Sequence, residues 1–434
     1  MPRITRSLLA GGLCLAAVLP CTAQSFKPKT IQFKGADGYS DQELMAATGL
    51  QPGMTLTGPD VNTRTQKLMN SGLFEGMSYK FDGSDLIFNI KPAAQLYSVR
   101  LENLPLASGP DLDGRLRQSA PLYRGKVPAE GDLLNDVRAA LEGILKDQGI
   151  AATITTTPFG ALGGKTATAM NFTITNPQVV IGDIQPDRGA LDPDALKATA
   201  HLTGAAYDRA ASSDAIQHDL TDAYRNKGYL DATVTAAQLA TLSIAPDTVR
   251  IPFRVAVSPG PLYKITSIQL APSMLVSQAD FDKQAHTHPG DLANAEHIAE
   301  NWQYIKRQYH NRGYMKAQIT PTAALDRTAA TVSYAVTAEP GPVYNMGKLT
   351  IENVSDDLRG MILKSWKMPE GAVFNEGAIL GFFATHDVNP QLERIFAAVS
   401  IKYSLHVNDD SKTVDTTLRL EKRSPPSATS GPAI

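Results

Sequence analysis

The unit Pro-Gly-Pro-x-Tyr occurs twice, at 259–263 and 340–344, 81 residues apart. A repeat of that period constrains the fold more than any composition does. It asks for a succession of small similar units rather than one large core. Gly260 and Gly341 can take any φ while the flanking prolines fix theirs, so the chain re-aims there between two extended runs. Tyr263 and Tyr344 open the strand that follows each turn. Lys91-Pro92 leading to Tyr97-Ser98-Val99 is a degenerate third copy.

A second marker runs at the same period. Gly72-Leu73-Phe74, Gly149-Ile150, Gly228-Tyr229-Leu230 and Gly313-Tyr314-Met315 are spaced by 77, 79 and 85 residues. Each glycine ends a helical pattern, as a left-handed residue just past a helix does. Before the last of them, Ala295, Ile298, Trp302, Ile305 and Tyr309 step by three and four, which places them on one helix face. Val137, Leu141 and Ile144 or Leu145 do the same in the second copy. Tyr304 falls off the stripe and reads as a solvated or inter-repeat position. Gly53, Gly131, Gly204, Gly290 and Gly371 separate a shorter helix from the longer one.

Alternation follows the longer helices. Val249, Ile251, Phe253, Val255 and Val257, then Val332, Tyr334 and Val336, then Val399, Ile401, Tyr403, Leu405 and Val407 occupy every second position. Period two with one apolar face predicts a half-buried sheet. The fold class expected is therefore α+β: a tandem array of about five small β-α-α-β-β units. Each would be a three-stranded mixed sheet covered on one face by two helices. The expected bounds are 28–93, 94–177, 178–260, 261–341 and 342–422. In the fifth, Asp387-Val388-Asn389-Pro390 should break the second helix. Length alone suggests two to four domains at about 150 residues each, and the repeat raises that count.

Residues 1–23 read as a secretory signal. Arg3 and Arg6 precede an apolar run from Leu8 to Leu19, and Cys21-Thr22-Ala23 offers a cleavage site. Cys21 also admits a lipoprotein reading, against which Pro20 argues. Both cysteines, Cys14 and Cys21, leave with the signal. The 41 basic and 43 acidic residues give a formal charge of −2. No basic excess exists to neutralise phosphates, so nucleic acid is not an expected partner. Residues 423–434, rich in Ser, Pro and Gly, read as a disordered tail.

No catalytic or metal residues are assigned. Gly160–Thr166 resembles a phosphate loop but has Phe159 where the first glycine belongs, and no helix follows it, so it reads as a hairpin turn. His286 and His288, near Asp282 and Asp291, lack a His-Glu-x-x-His pattern and read as loop residues. Asp111-Leu112-Asp113-Gly114 opens like a calcium loop, but Leu122 stands at its twelfth position. No Gly-x-Ser-x-Gly elbow occurs. No cofactor and no small-molecule ligand are expected.

The unit resembles the POTRA (polypeptide-transport-associated) domain, from the periplasmic part of the BamA family that inserts outer-membrane β-barrels. Ile31–Gly35, Leu68–Phe74 and Asp85–Pro92 carry the likeness best, and it extends over 28–422. Only 14 residues follow Leu420, too few for a barrel, so insertase activity is not carried over.

What the resemblance implies is strand addition, an extended peptide pairing with an open sheet edge. Candidate edges are 77–81 (Met77, Tyr79, Phe81), 232–239 (Thr233, Val234), 316–322 (Lys316, Gln318) and 399–407 (Ile401, Tyr403). The plainer reading is that these edges lie in solvent or against the next repeat. The expected function is a non-enzymatic scaffold or chaperone-like accessory in outer-membrane protein assembly or secretion. It would be exported to the periplasm, peripheral to the outer membrane, with extended clients or assembly-machine proteins as partners. A structural spacer or adhesive array is the alternative, and an exported hydrolase a weaker one.

Overall fold

The computed structural model describes residues 25–106, 109–160, 166–384 and 390–422. The signal-like segment, the tail beyond 422, residues 161–165 of the glycine-rich turn and Asp387–Asn389 lie outside the described residues.

One element order recurs along the chain. It begins with β1 (Thr30–Lys34), α1 (Asp41–Thr48), α2 (Gly58–Asn70), β2 (Phe74–Phe81) and β3 (Asp85–Pro92). Next come β4 (Tyr97–Leu101), α3 (Pro110–Ser119), β5 (Lys126–Val127), α4 (Asp132–Asp147), β6 (Thr153–Phe159) and β7 (Ala169–Asn176). The third set is β8 (Gln178–Pro186), α5 (Pro193–Thr199), α6 (Ser212–Arg225), β9 (Thr233–Gln238), β10 (Ser243–Ile244) and β11 (Thr248–Ser258). The fourth is β12 (Lys264–Leu270), α7 (Gln278–Gln284), α8 (Ala295–His310), β13 (Gln318–Asp326) and β14 (Thr331–Glu339). The last is β15 (Asn345–Glu352), α9 (Asp356–Ser365), α10 (Glu376–Ala384), α11 (Pro390–Ala398), β16 (Val399–Asn408) and β17 (Thr413–Lys422). Two short helices, α10 and α11, stand where the other sets have one long helix. Asp111–Gly114 lies inside α3, not in an ion-binding loop.

The result is a mixed α+β protein with five small sheets among the described residues. The last strand of each set is central. The orders are β1-β3-β2, β5-β4-β7-β6, β12-β14-β13 and β15-β17-β16, and β10-β11-β8 with β9 also on β11. First strands run parallel to the central one, as at Ile31↔Leu86 and Ile268↔Tyr334. Hairpin strands run antiparallel, as at Tyr79↔Phe88 and Tyr403↔Leu418. The second and third sheets add the two-residue strands β5 and β10 to the three expected.

Local chemistry starts the helices. Ser40 with Glu43, and Thr57 with Asp60, form reciprocal capping boxes on α1 and α2. Ser277, Asn294 and Ser355 cap α7, α8 and α9 through their side-chain oxygens. The stripe on α8 then meets the fourth sheet. Ile298, Ile305 and Tyr309 join Tyr263, Phe281, Val332 and Val336 in one buried cluster. Burying each large apolar side chain contributes about 1.5–3 kcal/mol. Tyr304, expected off the stripe, packs against that cluster. In the last set Tyr344, Phe374, Leu392 and Leu418 form the corresponding core.

The chain divides into two compact units. One comprises the residues up to Ile184 with Leu202–Ser213 and Gln238–Phe253. The other comprises Gln185–His201, Asp214–Ala237 and the chain from Arg254.

Candidate strand-addition edges

A small sheet has two edges, and here they are treated differently. The outer edge of the first strand is closed near its start by the segment between the two helices, which in the first sheet pairs just ahead of β1. The bridges are Phe26↔Leu56, Val180↔Ala206, Lys264↔Leu292 and Asn345↔Val373, and in the second sheet β5 does the same at Tyr97↔Val127. In the fourth sheet the Ile265 amide donates to Asp291 O (2.9 Å) and the Gly290 amide to Ile265 O (2.7 Å). In the fifth, the Met346 amide donates to Ala372 O and the Gly371 amide to Met346 O, both at 2.7 Å. Side chains of the first helix extend the closure. Asp41 accepts from the Phe33 amide (2.9 Å), and Gln278 accepts from the Leu270 amide (2.9 Å) while donating to Ile268 O (3.0 Å).

The opposite edge is the hairpin strand. β2, β6, β13 and β16 end their sheets, and β9 flanks β11. Met77, Tyr79 and Phe81 are half-buried on β2; the Phe81 ring lies 4.7 Å from Phe26 and Tyr79 5.8 Å from Phe88. On β9 Thr233 is exposed and Val234 buried. Ile401 and Tyr403 are half-buried on β16. Gln318 is the exposed first residue of β13. Lys316 lies before that strand, and its ammonium pairs with Asp409. The sequence reading missed β6 as an edge. The run Thr153–Thr157, β-branched throughout between Gly149 and Gly160, was the available signal.

The repeat markers sit at the joints. Gly72, Gly149, Gly228, Gly260, Gly313 and Gly341 all have positive φ. Gly228 and Gly313 show why glycine stands there: their carbonyls accept from the Tyr263 and Tyr344 amides at 2.9 and 2.8 Å. A Cβ on Gly313 would come within 2.8 Å of Tyr344 O. Tyr263 and Tyr344 are fully buried. Phe74 is buried beside Tyr39, with ring centroids 6.2 Å apart. Tyr229 and Tyr314 meet Tyr224 and Tyr309 edge-on, each pair at 6.1 Å.

Charge is concentrated at the same joints. The Tyr263 hydroxyl donates to Asp231 (2.6 Å), which Arg327 also engages at 2.8 Å. Arg327 and then Tyr263 hold the Asp231 carboxyl below its ordinary range. The Tyr344 hydroxyl donates to Asp409 (2.6 Å), whose carboxyl Lys316 and then Tyr344 lower likewise. His310 Nδ1 lies 2.6 Å from Glu376. That contact, more than any other, lowers the Glu376 carboxyl against the opposing effect of burial.

His286 and His288 face single carboxylates, Glu300 (3.3 Å) and Asp291 (3.7 Å). Among the described residues no group of three or more His, Cys, Asp or Glu is placed to hold a metal ion. No helix among them is long and apolar enough to cross a membrane.

Residues 263–341 match the model of the POTRA family, described as a surface antigen variable number repeat. Over 106 residues the chain is 26% identical to outer membrane protein assembly factor BamA of Buchnera aphidicola subsp. Acyrthosiphon pisum (strain APS). That stretch covers 24% of this chain and 17% of the relative's length. POTRA domains 3–5 of Haemophilus influenzae BamA align with 57% of this chain and 98% of theirs, at 15% identity and a TM-score of 0.44. POTRA domains 1–3 of Anabaena Omp85 align with 58% and 98%, at 19% identity and a TM-score of 0.22.

Proposed function

We propose that this chain, which carries a POTRA domain at residues 263–341, is a non-enzymatic scaffold for outer-membrane protein assembly or secretion. It holds extended polypeptides by adding them as strands to its sheets. In this reading the chain is exported to the periplasm, the other four sheet-and-helix sets are POTRA-like domains bounded as the sequence suggests, and the partners are unfolded outer-membrane proteins or assembly components.

One observation carries the reading. The segments between the two helices bridge the first-strand edge of four sheets, and in the first sheet the residues just ahead of β1, while the hairpin strand is left at the border. A hairpin strand with unpaired main-chain groups accepts a peptide with little sequence preference. The test presents the immobilised mature chain with urea-unfolded outer-membrane precursors and with envelope extract. Retention of unfolded precursors over folded ones is expected. Enrichment of neither precursors nor assembly-machine proteins would sink the proposal.

The joints at Gly228 and Gly313, tied by main-chain and side-chain bonds, also suit a spacer of fixed geometry. Deleting one set and restoring the length with an unrelated repeat separates the two. A spacer is rescued, and a strand acceptor is not.

A further inference from the structure

The hairpin edges are not equally able to take a strand. Alternate residues of a strand point their main-chain groups to opposite sides, so pairing on one side fixes which amides face outward. In the fifth sheet the Asn345 amide donates to Lys412 O (2.9 Å). Even-numbered residues of β17 therefore face β15, and odd-numbered ones face β16. Given the register Tyr403↔Leu418, the amides of Val399, Ile401, Tyr403, Leu405 and Val407 point away from the sheet. The register is unbroken over all ten residues of β16, and none is proline.

The same reasoning finds obstacles elsewhere. In the fourth sheet Lys264 and Ala271 donate to Ala330 O and Val336 O. The outward positions of β13 are then Ile319, Pro321, Ala323 and Leu325, and Pro321 has no N–H. In the second sheet Glu102 donates to Phe172 O, so β6 turns Ile154, Thr156 and Pro158 outward. Glu142 already holds the Ile154 amide at 2.9 Å, and Pro158 has none to offer. β9 ends at Gln238, with one further bond from the Leu239 amide to Pro252 O, and the next strand, β10, starts only at Ser243. β2 offers Met77, Tyr79 and Phe81 but carries a bulge between Phe74 and Gly76.

Resting on the strand-addition reading above, we propose that β16 is the principal acceptor edge. Its partner is an extended polypeptide with apolar residues at every second position. One face of β16 shows half-buried Ile401, Tyr403 and Leu405, with the Tyr403 hydroxyl held by Glu376. The other face shows exposed Lys402, Ser404 and His406. An added strand continues both faces, apolar beside the first and polar beside the second.

The test uses the full mature chain and a ten-residue peptide alternating valine and threonine, with blocked ends. A photo-crosslinking residue replaces the exposed Ser404, Thr320, Thr155 or Ser78 in turn, each variant being checked for a cooperative unfolding transition. Capture at 404 is expected to exceed capture at the other three. Methylating alternate peptide nitrogens should weaken binding about tenfold through lost backbone bonds. Pro321→Val should raise capture at 320. A peptide that binds but is captured mainly at 320, 155 or 78 overturns the assignment of β16 and leaves strand addition standing. A peptide that binds nowhere overturns strand addition itself.

Discussion

Asp231 and Lys316 hold the same place at successive joints, three residues after Gly228 and Gly313, with opposite charge. Their partners are exchanged to match. Asp231 pairs with Arg327 in the β13–β14 turn, and Lys316 pairs with Asp409 in the β16–β17 turn. In both joints the buried tyrosine donates to the aspartate, whichever side it comes from. One geometry is thus built with two polarities, and a joint assembled from mismatched halves would place like charges together.

That exchange predicts coupling. Asp231→Lys alone should destabilise the fourth set, because it removes the acceptor of Tyr263 and sets an ammonium against Arg327. Adding Arg327→Asp reproduces the polarity of the next joint and should recover most of the loss. The measurement is a double-mutant cycle by denaturant unfolding. Strictly additive effects would show that the two side chains do not act together.

Asn301 is a second point of leverage. It is a fully buried polar residue on the apolar face of α8, accepting from the His286 amide (2.7 Å) and donating to Thr287 Oγ1 (2.7 Å). It fastens the loop whose continuation closes the edge of β12. Asn301→Leu keeps the branched shape and the number of side-chain heavy atoms, adds some bulk, and leaves the His286 amide unpaired, at a cost of about 1–3 kcal/mol. Faster amide exchange at 286–292 is expected alongside. An unchanged unfolding midpoint would show that water replaces the bond.

The contrast between Asn301 and its neighbours says what the sequence could reveal. Ile298, Ile305 and Tyr309 were legible because burial of one helix face imposes a period. The Pro-Gly-Pro-x-Tyr spacing was legible because a tyrosine buried at a joint needs a fixed register. Asn301 interrupts the period to satisfy a loop amide, which no hydrophobic pattern encodes. Lys316 looked like an edge residue, since its partner Asp409 is 93 positions away. Closure of the first-strand edges was invisible for a similar reason. Bridges as short as Lys264↔Leu292 have no periodicity of their own.

Glu376 makes the last joint acid-sensitive. Its carboxyl is held below its ordinary range chiefly by the hydrogen bond with His310, with help from the Tyr403 hydroxyl and the nearby Lys306 charge. A carboxylate depressed in the folded state stabilises fully above its unfolded value, about 4.3. That contribution fades as pH falls through the lower folded value. Unfolding midpoints should therefore drop between about pH 5 and pH 3. Glu376→Gln should cost about 1–2 kcal/mol at pH 7 through the lost charge-assisted bond and flatten that limb. Parallel acid limbs in the two proteins would assign the drop to other carboxylates.

Gly313 and Gly290 separate conformational strain from packing. Both have positive φ, 83° and 97°. A Cβ on Gly290 meets nothing within 4 Å, whereas one on Gly313 meets Tyr344 O at 2.8 Å, Val373 Cγ1 at 2.9 Å and Val343 Cγ1 at 3.0 Å. Gly290→Ala should therefore cost about 1 kcal/mol, the left-handed penalty alone. Gly313→Ala adds a backbone collision at the joint, for about 2–4 kcal/mol in all. Val343→Ala would relieve one contact but not the Tyr344 carbonyl, so it should rescue Gly313→Ala only in part. Equal costs for the two alanine variants, measured by denaturant unfolding, would mean that the joint yields freely and that its glycine is there for φ alone.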